Sequence, residues 1–437
     1  MIDVAEVKIW GELAGAVRWN PQRQLASFQY DKKFLNKGVE LSPIKMPVRN
    51  GARIYSFPEL RRPNLEMDST FKGLPGLLAD SLPDRYGSQL IDMWLAQNGR
   101  EAGSMNPVEQ LCFIGNRGMG ALEFEPAQFK SGGQTFLIEL ESLVDVAKRA
   151  LFKKESFAVN LHEDEKKALN EILKIGTSAG GARPKAVIAL NRKTGEIRSG
   201  QTTVPEGFSH WLIKLDGVSD AQFGSSHGYG RVEYAYYLMA LDCGVSMMES
   251  ELMEENGRAH FMTKRFDRDG SIRHHIQTLC GIMHFDYIDL YSYSYEQLFQ
   301  TMRMMKMTYP EIEQMFRRMV FNVMATNYDD HTKNFSFRLK KDGKWELSPA
   351  YDVCYSYDPD NIWVSQHTLS INGKHREITK SDLMTVADVN GVRNGEKIVS
   401  EIIKVISNWQ YYAQKAGVNE QLERSITDNL HVFNFKD

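Results

Sequence analysis

The sequence predicts an α+β protein, with a β-rich N-terminal part and a mostly helical C-terminal lobe. Three observations carry this. Residues 5–30 alternate, with Val7, Ile9 and Leu13 spaced by polar residues, Gly11 and Gly15 punctuating the run, and Phe28 and Tyr30 continuing it; that is the period of short antiparallel strands. From Glu311 to Thr326 the period changes, because Ile312, Met315, Phe316, Met319, Val323 and Met324 recur at helical spacing, and helical patterns return around 380–390, 396–414 and 419–430. Between these regions lie a glycine-rich loop and a lysine-bearing strand, the parts from which a nucleotide-binding lobe is built. A chain of 437 residues suggests two or three domains at about 150 residues each. The reading divides it into an N-terminal subdomain (1–125), a connecting region (126–160), a lobe with the glycine-rich loop (161–268) and a helical lobe (269–437).

Composition narrows the function classes. A net charge of −3 argues against a surface built to hold nucleic acid unaided. Cys112, Cys243, Cys280 and Cys354 lie far apart with no C-x-x-C pair, which points to a reducing compartment and away from a zinc ribbon or disulfide framework. Acidic residues precede any apolar run at the N-terminus, so no signal peptide is expected. No stretch of about 18 apolar residues exists, so no membrane span is expected either. A cytoplasmic protein is the default.

The N-terminal elements follow in order. Leu77, Leu78, Leu82, Leu90, Ile91, Trp94 and Leu95 fit helices interrupted at Pro83. The charged segment Asp80–Gly87 reads as a capped helix start, with a binding loop as the alternative. Gly115–Gly120 contains three glycines, but no clear strand precedes it, so a tight turn is favoured over a phosphate loop. Leu169, Ile172 and Leu173 mark one face of a helix over 163–175. Then comes Gly176-Thr-Ser178-Ala-Gly180-Gly181-Ala182-Arg183-Pro-Lys185, leading into a strand. Glycines there let backbone N–H groups approach phosphate oxygens, and Arg183 and Lys185 add positive charge. A linker before a strand is the plain alternative.

Strands are expected over 186–191 and 209–215. Lys214 ends the second, where an apolar strand makes an unpartnered ammonium costly. A nucleotide phosphate would serve as partner; so would snorkelling to water. Glu233 reads as the first-turn acid of a helix over Val232–Cys243, the alternative being the helix acid that pairs a strand lysine in kinases. Phe261–Arg268 reads as a strand running into a turn closed by Asp269-Gly270, where a two-lobed kinase carries its adenine hinge.

The centre of the chain is Asn327-Tyr-Asp329-Asp-His-Thr-Lys-Asn334. Asp329 and Asn334 stand five positions apart, and Asp352 follows in Tyr351-Asp352-Val. In a kinase catalytic loop that spacing carries an Asp that accepts the substrate hydroxyl proton and an Asn that holds magnesium, with a second metal-binding Asp downstream. An Asx-rich turn at a helix end is the plain alternative. A hairpin turn at Lys340–Lys344 would bring Asn334 and Asp352 to neighbouring strand ends. A metal-dependent phosphohydrolase using Asp329, Asp330 and His331 is a rival reading, in which the glycine-rich loop and Lys214 would be redundant.

Taken together, Ser178–Lys185, Lys264-Arg-Phe-Asp-Arg268, Asp329–Asn334 and Tyr351-Asp352, in this order, resemble the HipA family of serine/threonine kinase toxins from bacterial type II toxin–antitoxin systems. Gly76–Gly87, Arg117–Leu122 and Leu369–Lys374 resemble it too, so the likeness covers most of the chain. The resemblance implies a two-lobed, protein-kinase-like fold that binds ATP and magnesium, with Asp329 as catalytic base and Asn334 and Asp352 on the metal. It implies that Lys214 holds ATP phosphates and that Lys264, Arg265 and Phe266 line the adenine site. It also implies that Gly180, Gly181, Ala182, Arg183, Lys185, His331, Lys333 and Tyr351 border the nucleotide. Ser178 matches a serine whose autophosphorylation expels the glycine-rich loop and inactivates family members. The implied partners are a protein substrate such as an aminoacyl-tRNA synthetase and a small helix-turn-helix antitoxin through which DNA is bound. A catalytically weak co-repressor acting through that antitoxin is the alternative function. The chain departs from the family pattern at Arg183-Pro184 and at Lys264, where an acid is familiar.

Overall fold

The computed structural model describes residues 2–61, 69–128, 137–138, 140–152, 173, 183–200, 204–218 and 228–435. The chain forms two compact units: Met1–His227, Met253–Gln277 and Leu339–Lys344 make the first, and Gly228–Leu252, Thr278–Arg338 and Trp345–Asp437 the second. This division differs from the consecutive segments suggested by the sequence. Periodicity reports what an element is, not which neighbour it packs against.

The first unit opens with strands β1 (Val4–Ile9), β2 (Glu12–Asn20), β3 (Leu25–Tyr30), β4 (Ile54–Tyr55) and β5 (Leu122–Glu125), in the order β4-β3-β2-β1-β5. The alternation read over 5–30 is what buries Ala5, Val7 and Ile9 on one face. Gly15 is obligatory in β2: a Cβ there would sit 2.3 Å from the carbonyl oxygen of Gln29 on β3. Helix α1 (Arg85–Gln97) follows Pro83, and the Asp84 side chain caps it by accepting from the Gly87 N–H at 2.6 Å. The Asp80–Gly87 segment is thus a helix start. Helix α2 (Pro107–Ile114) is capped by Asn106, with Pro107 at its first position, where the missing N–H costs nothing. Helix α3 spans Leu140–Phe152.

A second sheet in this unit has the order β7-β6-β8-β10-β9, with β6 at Lys185–Asn191, β7 at Glu196–Ser199, β8 at Ser209–Lys214, β9 at Ser250–Glu255 and β10 at Arg258–Lys264. β9 begins in the second unit and belongs to the first from Met253 onward. Residues 192–195 make a turn whose return arm is β7, which the sequence reading passed over: a four-residue, partly buried edge strand has too few apolar positions to show a period. Trp211 and Ile213 of β8, Ile188 of β6 and Met262 of β10 pack with Leu90, Ile91 and Leu95 of α1 into one core. The glycine-bearing segment 115–120 is a turn wrapped around buried Arg117, whose guanidinium donates to the carbonyls of Ile114 (3.2 Å), Leu173 (2.7 Å) and Phe113.

The second unit is mostly helical. Helix α4 (Tyr229–Asp242) starts three residues before the expected Val232, so Glu233 lies beyond the first turn and is buried. A role for Glu233 at the helix dipole falls away with that shift. Helices α5 (Tyr295–Met304) and α6 (Tyr309–Met324) both open on capping boxes, Ser294 with Gln297 and Thr308 with Glu311. The methionine-rich stripe of α6 is core, as expected: Met315, Phe316, Met319 and Met324 are fully buried. Strands β11 (Ser336–Leu339) and β12 (Trp345–Leu347) flank the Lys340–Lys344 turn, which with Leu339 is counted in the first unit. Helices α7 (Lys380–Val389), α8 (Gly395–Ile406), α9 (Trp409–Ala416) and α10 (Glu420–Thr427) complete the unit. The single helix expected over 396–414 breaks at Ser407-Asn408. The redirected α9 buries Trp409 completely, with its indole N–H donating to the carbonyl of Glu423 at 3.1 Å. Among the described residues no helix is long and apolar enough to cross a membrane.

Candidate active site

α6 ends beside a recess in the second unit that Asp329, Asn334 and Asp352 line together with Asp330, Arg318, Asn322, Asn327 and Tyr351. These three residues, read from spacing alone, converge on one site. The loop reaches it by a sharp exit from the helix: Thr326 adopts φ 53°, and the Asn327 N–H then returns to the Asn322 carbonyl at 2.9 Å. Ser356 pairs with both sides of this point, donating its N–H to Thr326 O (3.2 Å) and accepting from the Tyr328 N–H (3.1 Å). The catalytic-loop candidate and the segment after Asp352 are therefore stitched together.

Within the loop, Asn334 Nδ2 donates to the Asp329 carbonyl at 2.6 Å. This fixes the amide plane and leaves Asn334 Oδ1 as an acceptor. Asp352 holds φ 53°, a left-handed backbone that is uncommon for a non-glycine residue and concentrates at functional sites. Tyr351 donates its phenol to the Lys333 carbonyl at 2.7 Å. The Lys333 ammonium lies 4.7 Å from the centre of the Tyr287 ring, and the His331 ring lies 5.2 Å from that same ring. His331 Nδ1 accepts from the Lys333 N–H at 3.2 Å, and its Nε2 stands 3.6 Å from Asp329 Oδ1.

Asp329 and Asp330 face opposite environments. The Asp329 side chain is 42% exposed, whereas Asp330 is buried. Asp330 Oδ1 accepts from the N–H groups of Thr368 (2.7 Å) and Leu369 (3.4 Å); its Oδ2 lies 2.9 Å from the Tyr295 hydroxyl and 2.8 Å from His367 Nδ1. Burial first, and the Asp330 charge second, hold the Tyr295 phenol well above its ordinary range, so it stays a donor. A carboxylate with four donors has no lone pair to offer a substrate proton. Sequence reading missed this hub, because Tyr295 and His367 carry no mark of it in their own neighbourhoods.

The first unit places the other expected residues differently. Lys185 is 2% exposed and its ammonium stands 3.2 Å from Asp84 Oδ2. Lys185 here neutralises the carboxylate that caps α1, as a buried ammonium beside a buried carboxylate must. Arg265 is likewise engaged, donating Nε (2.8 Å) and Nη2 (2.7 Å) to Asp267. Asp267 also accepts from Arg268 Nη1 and the Gly120 N–H, each at 2.7 Å. Burial alone would raise the Asp267 carboxyl; the adjacent Arg265 and Arg268 overcome that and hold it well below the usual carboxylate range. The Arg265 side chain is therefore a brace on the buried Asp267 carboxylate. Lys264 and Phe266 on either side are partly exposed. Lys214 is partly exposed at the end of β8, paired in register with Lys185 of β6 and Phe261 of β10. Arg183 is partly exposed, while Ser178, Gly180, Gly181 and Ala182 lie outside the described residues.

Asn334 and Asp352 fit a magnesium ion by the chemistry of their donors. Both supply hard oxygens, and magnesium takes one or two such groups while keeping waters and phosphate oxygens for its other positions. Among the described residues no group of three or more His, Cys, Asp or Glu side chains is placed to hold a metal by itself.

Comparison with known proteins bears on family and fold. Residues 5–125 match the HipA N-terminal domain family, and residues 177–412, more than half of the chain, match the HipA-like C-terminal domain family. HipA of Shewanella oneidensis MR-1, solved as a toxin–antitoxin complex with HipB and operator DNA, is 16% identical; the alignment covers 98% of this chain and 94% of that one with a TM-score of 0.65. The two chains share a fold. A proinflammatory kinase of Helicobacter pylori, CtkA, is 11% identical and aligns over 48% of this chain and 90% of its own, at a TM-score of 0.31. No curated protein sequence matches significantly. Matches to both HipA domains, in order and over most of its length, place this chain in the HipA family.

Proposed function

We propose that this chain is an ATP- and magnesium-dependent protein serine/threonine kinase and the toxin of a type II toxin–antitoxin pair. The observation that supports it best is the sorting of neighbouring carboxylates: Asp329 and Asp330 line one recess with Asn334 and Asp352, but Asp329 is 42% exposed while Asp330 is buried and saturated. Asp329, on its exposed side, accepts the proton of an incoming hydroxyl. Asn334 and Asp352 hold magnesium, which when bound neutralises charge on the transferring phosphoryl group. Lys214 binds ATP phosphates, assisted by Arg183 and by Gly180, Gly181 and Ala182 of the glycine-rich loop. Lys264, Phe266 and the backbone of Arg265 line the adenine site, with His331, Lys333 and Tyr351 beside the nucleotide. Ser178 is the autophosphorylation site that switches the enzyme off. The partners are a helix-turn-helix antitoxin, by analogy with the HipB and operator DNA found with the Shewanella protein, and a substrate of the translation machinery such as an aminoacyl-tRNA synthetase.

Incubation with γ-labelled ATP tests the reading. Label should appear on serine or threonine of the protein or an added substrate, and it should require magnesium. Release of free phosphate without protein labelling would favour a phosphohydrolase, and no turnover at all would leave the co-repressor function.

A further inference from the structure

The last residue before the catalytic-loop candidate is in an unusual state. Ala325 caps α6, and Thr326 at the following position adopts φ 53°. Helices commonly end on a left-handed residue there, and glycine is the usual choice because it has no Cβ to clash. A β-branched residue in that conformation is an outlier, and such strain persists only where the surroundings over-determine it. Here they do. The Thr326 N–H faces Val323 O at 3.4 Å, and its carbonyl accepts from the Ser356 N–H at 3.2 Å. Its Oγ1 donates to the carbonyl of Asn429 at 2.9 Å and accepts from the N–H of His431 at 2.9 Å. The two hydroxyl bonds reach 103 and 105 positions along the chain, to the turn that follows α10. That turn is itself anchored: Leu430 is fully buried, and His431 Nε2 lies 3.0 Å from the Ile378 carbonyl. On the other side, the Tyr236 phenol of α4 donates to Ala325 O at 2.6 Å. Glycine would satisfy the backbone at 326 and lose both hydroxyl bonds; threonine accepts the strain and gains the tether.

We propose that Thr326 is a positioning residue for phosphotransfer. Its hydroxyl, clamped between Asn429 and His431, locks the left-handed exit of α6 and so fixes where Asp329, three residues on, enters the recess. The C-terminal turn thereby becomes part of the active-site support. This rests on the kinase reading above, and the test separates the two.

Thr326→Ser, Thr326→Val and Thr326→Gly are compared by kcat, KM for ATP, thermal midpoint and amide hydrogen exchange across 327–334. Serine keeps the hydroxyl and should keep wild-type kcat. Valine keeps the shape without the hydroxyl, and glycine removes strain and hydroxyl together. Both should lower kcat by about ten- to a hundredfold, as a misaimed catalytic group does, with KM for ATP held within about twofold. Both should also speed exchange at the Asn327 and Tyr328 amides. A Thr326→Gly enzyme with full kcat would overturn the proposal, since the backbone angle alone would then suffice. So would a valine variant that loses thermal stability yet turns over normally below its melting range. If valine prevents folding, serine against glycine still decides. If even the wild type transfers no phosphate, the kinase reading fails on its own; unchanged exchange at Asn327 and Tyr328 in the glycine variant would then dispose of the clamp separately.

Discussion

At the residue scale the proposed chemistry depends on which of two adjacent aspartates keeps an exposed carboxylate: both line the recess, but only Asp329 is open to solvent. Asp329→Asn should abolish phosphotransfer, with a loss on the order of 10²-fold or more, and leave the thermal midpoint near wild type, because that side chain is 42% exposed. Asp330→Asn should do the reverse first. It replaces one acceptor oxygen by an N–H2 facing donors, which strands buried groups and costs about 3 kcal/mol of stability. Paired turnover and melting measurements on the two variants distinguish these roles. A thermally intact, inactive Asp330→Asn protein beside an active Asp329→Asn protein would shift the catalytic register by one. Lys185 poses a similar question in the first unit. Lys185→Met should destabilise by about 3–5 kcal/mol by leaving Asp84 buried without its counter-charge. Adding Asp84→Asn, which keeps an oxygen to cap α1, should recover most of that in denaturant melts; an additive double mutant would refute the pairing.

At the element scale the site is assembled by terminations. α6 stops, the loop 327–334 leaves it, β11 and β12 form a hairpin, and Asp352 follows with a left-handed backbone. Asn334 and Asp352 are eighteen positions apart in the sequence, yet both line the recess with Asp329. Asn334→Ala and Asp352→Ala should each weaken the dependence of ATP binding on magnesium, since each removes a hard oxygen ligand. Calorimetric titration with ATP, with and without magnesium, reads this directly. If the double variant keeps the wild-type magnesium effect, the metal lies elsewhere. Ser178 belongs to this scale too, because its effect runs through the glycine-rich loop. A phosphate there adds roughly −1.5 to −2 charge, which would repel the ATP phosphates. Peptide mass spectrometry after incubation with ATP should find it on the 176–185 peptide. Modification that persists in Ser178→Ala would move the site to Thr177, and an unmodified peptide in active enzyme would remove the off-switch.

At the scale of the whole molecule, buried histidines tie stability to pH. Burial first, and then the nearby Arg265, lower His210 to about 4; burial lowers His275 to about 4 as well. Each ring is close to a backbone carbonyl, His210 Nδ1 to Gly200 O at 2.9 Å and His275 Nε2 to Leu41 O at 3.2 Å, and each is held neutral. Their folded values lie below the unfolded value of about 6.5, so the unfolded chain binds more protons as pH falls between about 6.5 and 4. The stability these rings contribute is therefore complete above pH 6.5 and drains away on acidification, on the order of 3 kcal/mol for each by pH 4. Urea melts between pH 7.5 and 5 should show the fall, and His275→Gln, which can still donate to Leu41, should flatten it. An unchanged slope in that variant would assign the effect to other groups.

By itself the sequence determined the local elements and the chemistry they carry. Alternation gave the first strands, the methionine stripe gave α6, and five-residue spacing gave Asp329 and Asn334, because each is written in residues that lie close together along the chain. The helix break at Ser407, the short strand β7 and the earlier start of α4 were not legible, because packing rather than local preference sets those boundaries. Only the tertiary structure decided which charged groups are free to act. Lys185 reads from sequence as a cation beside a glycine-rich loop and Arg265 as one residue of an expected adenine site; only the fold shows that Asp84 and Asp267 pair with them. Asp330 and Thr326 read as neighbours of a motif, and they became its supports through Tyr295, His367, Asn429 and His431. The physical reason is the same in each case. A buried charge or a strained backbone is tolerable only with a specific partner, and those partners are brought together by the fold from distant parts of the chain.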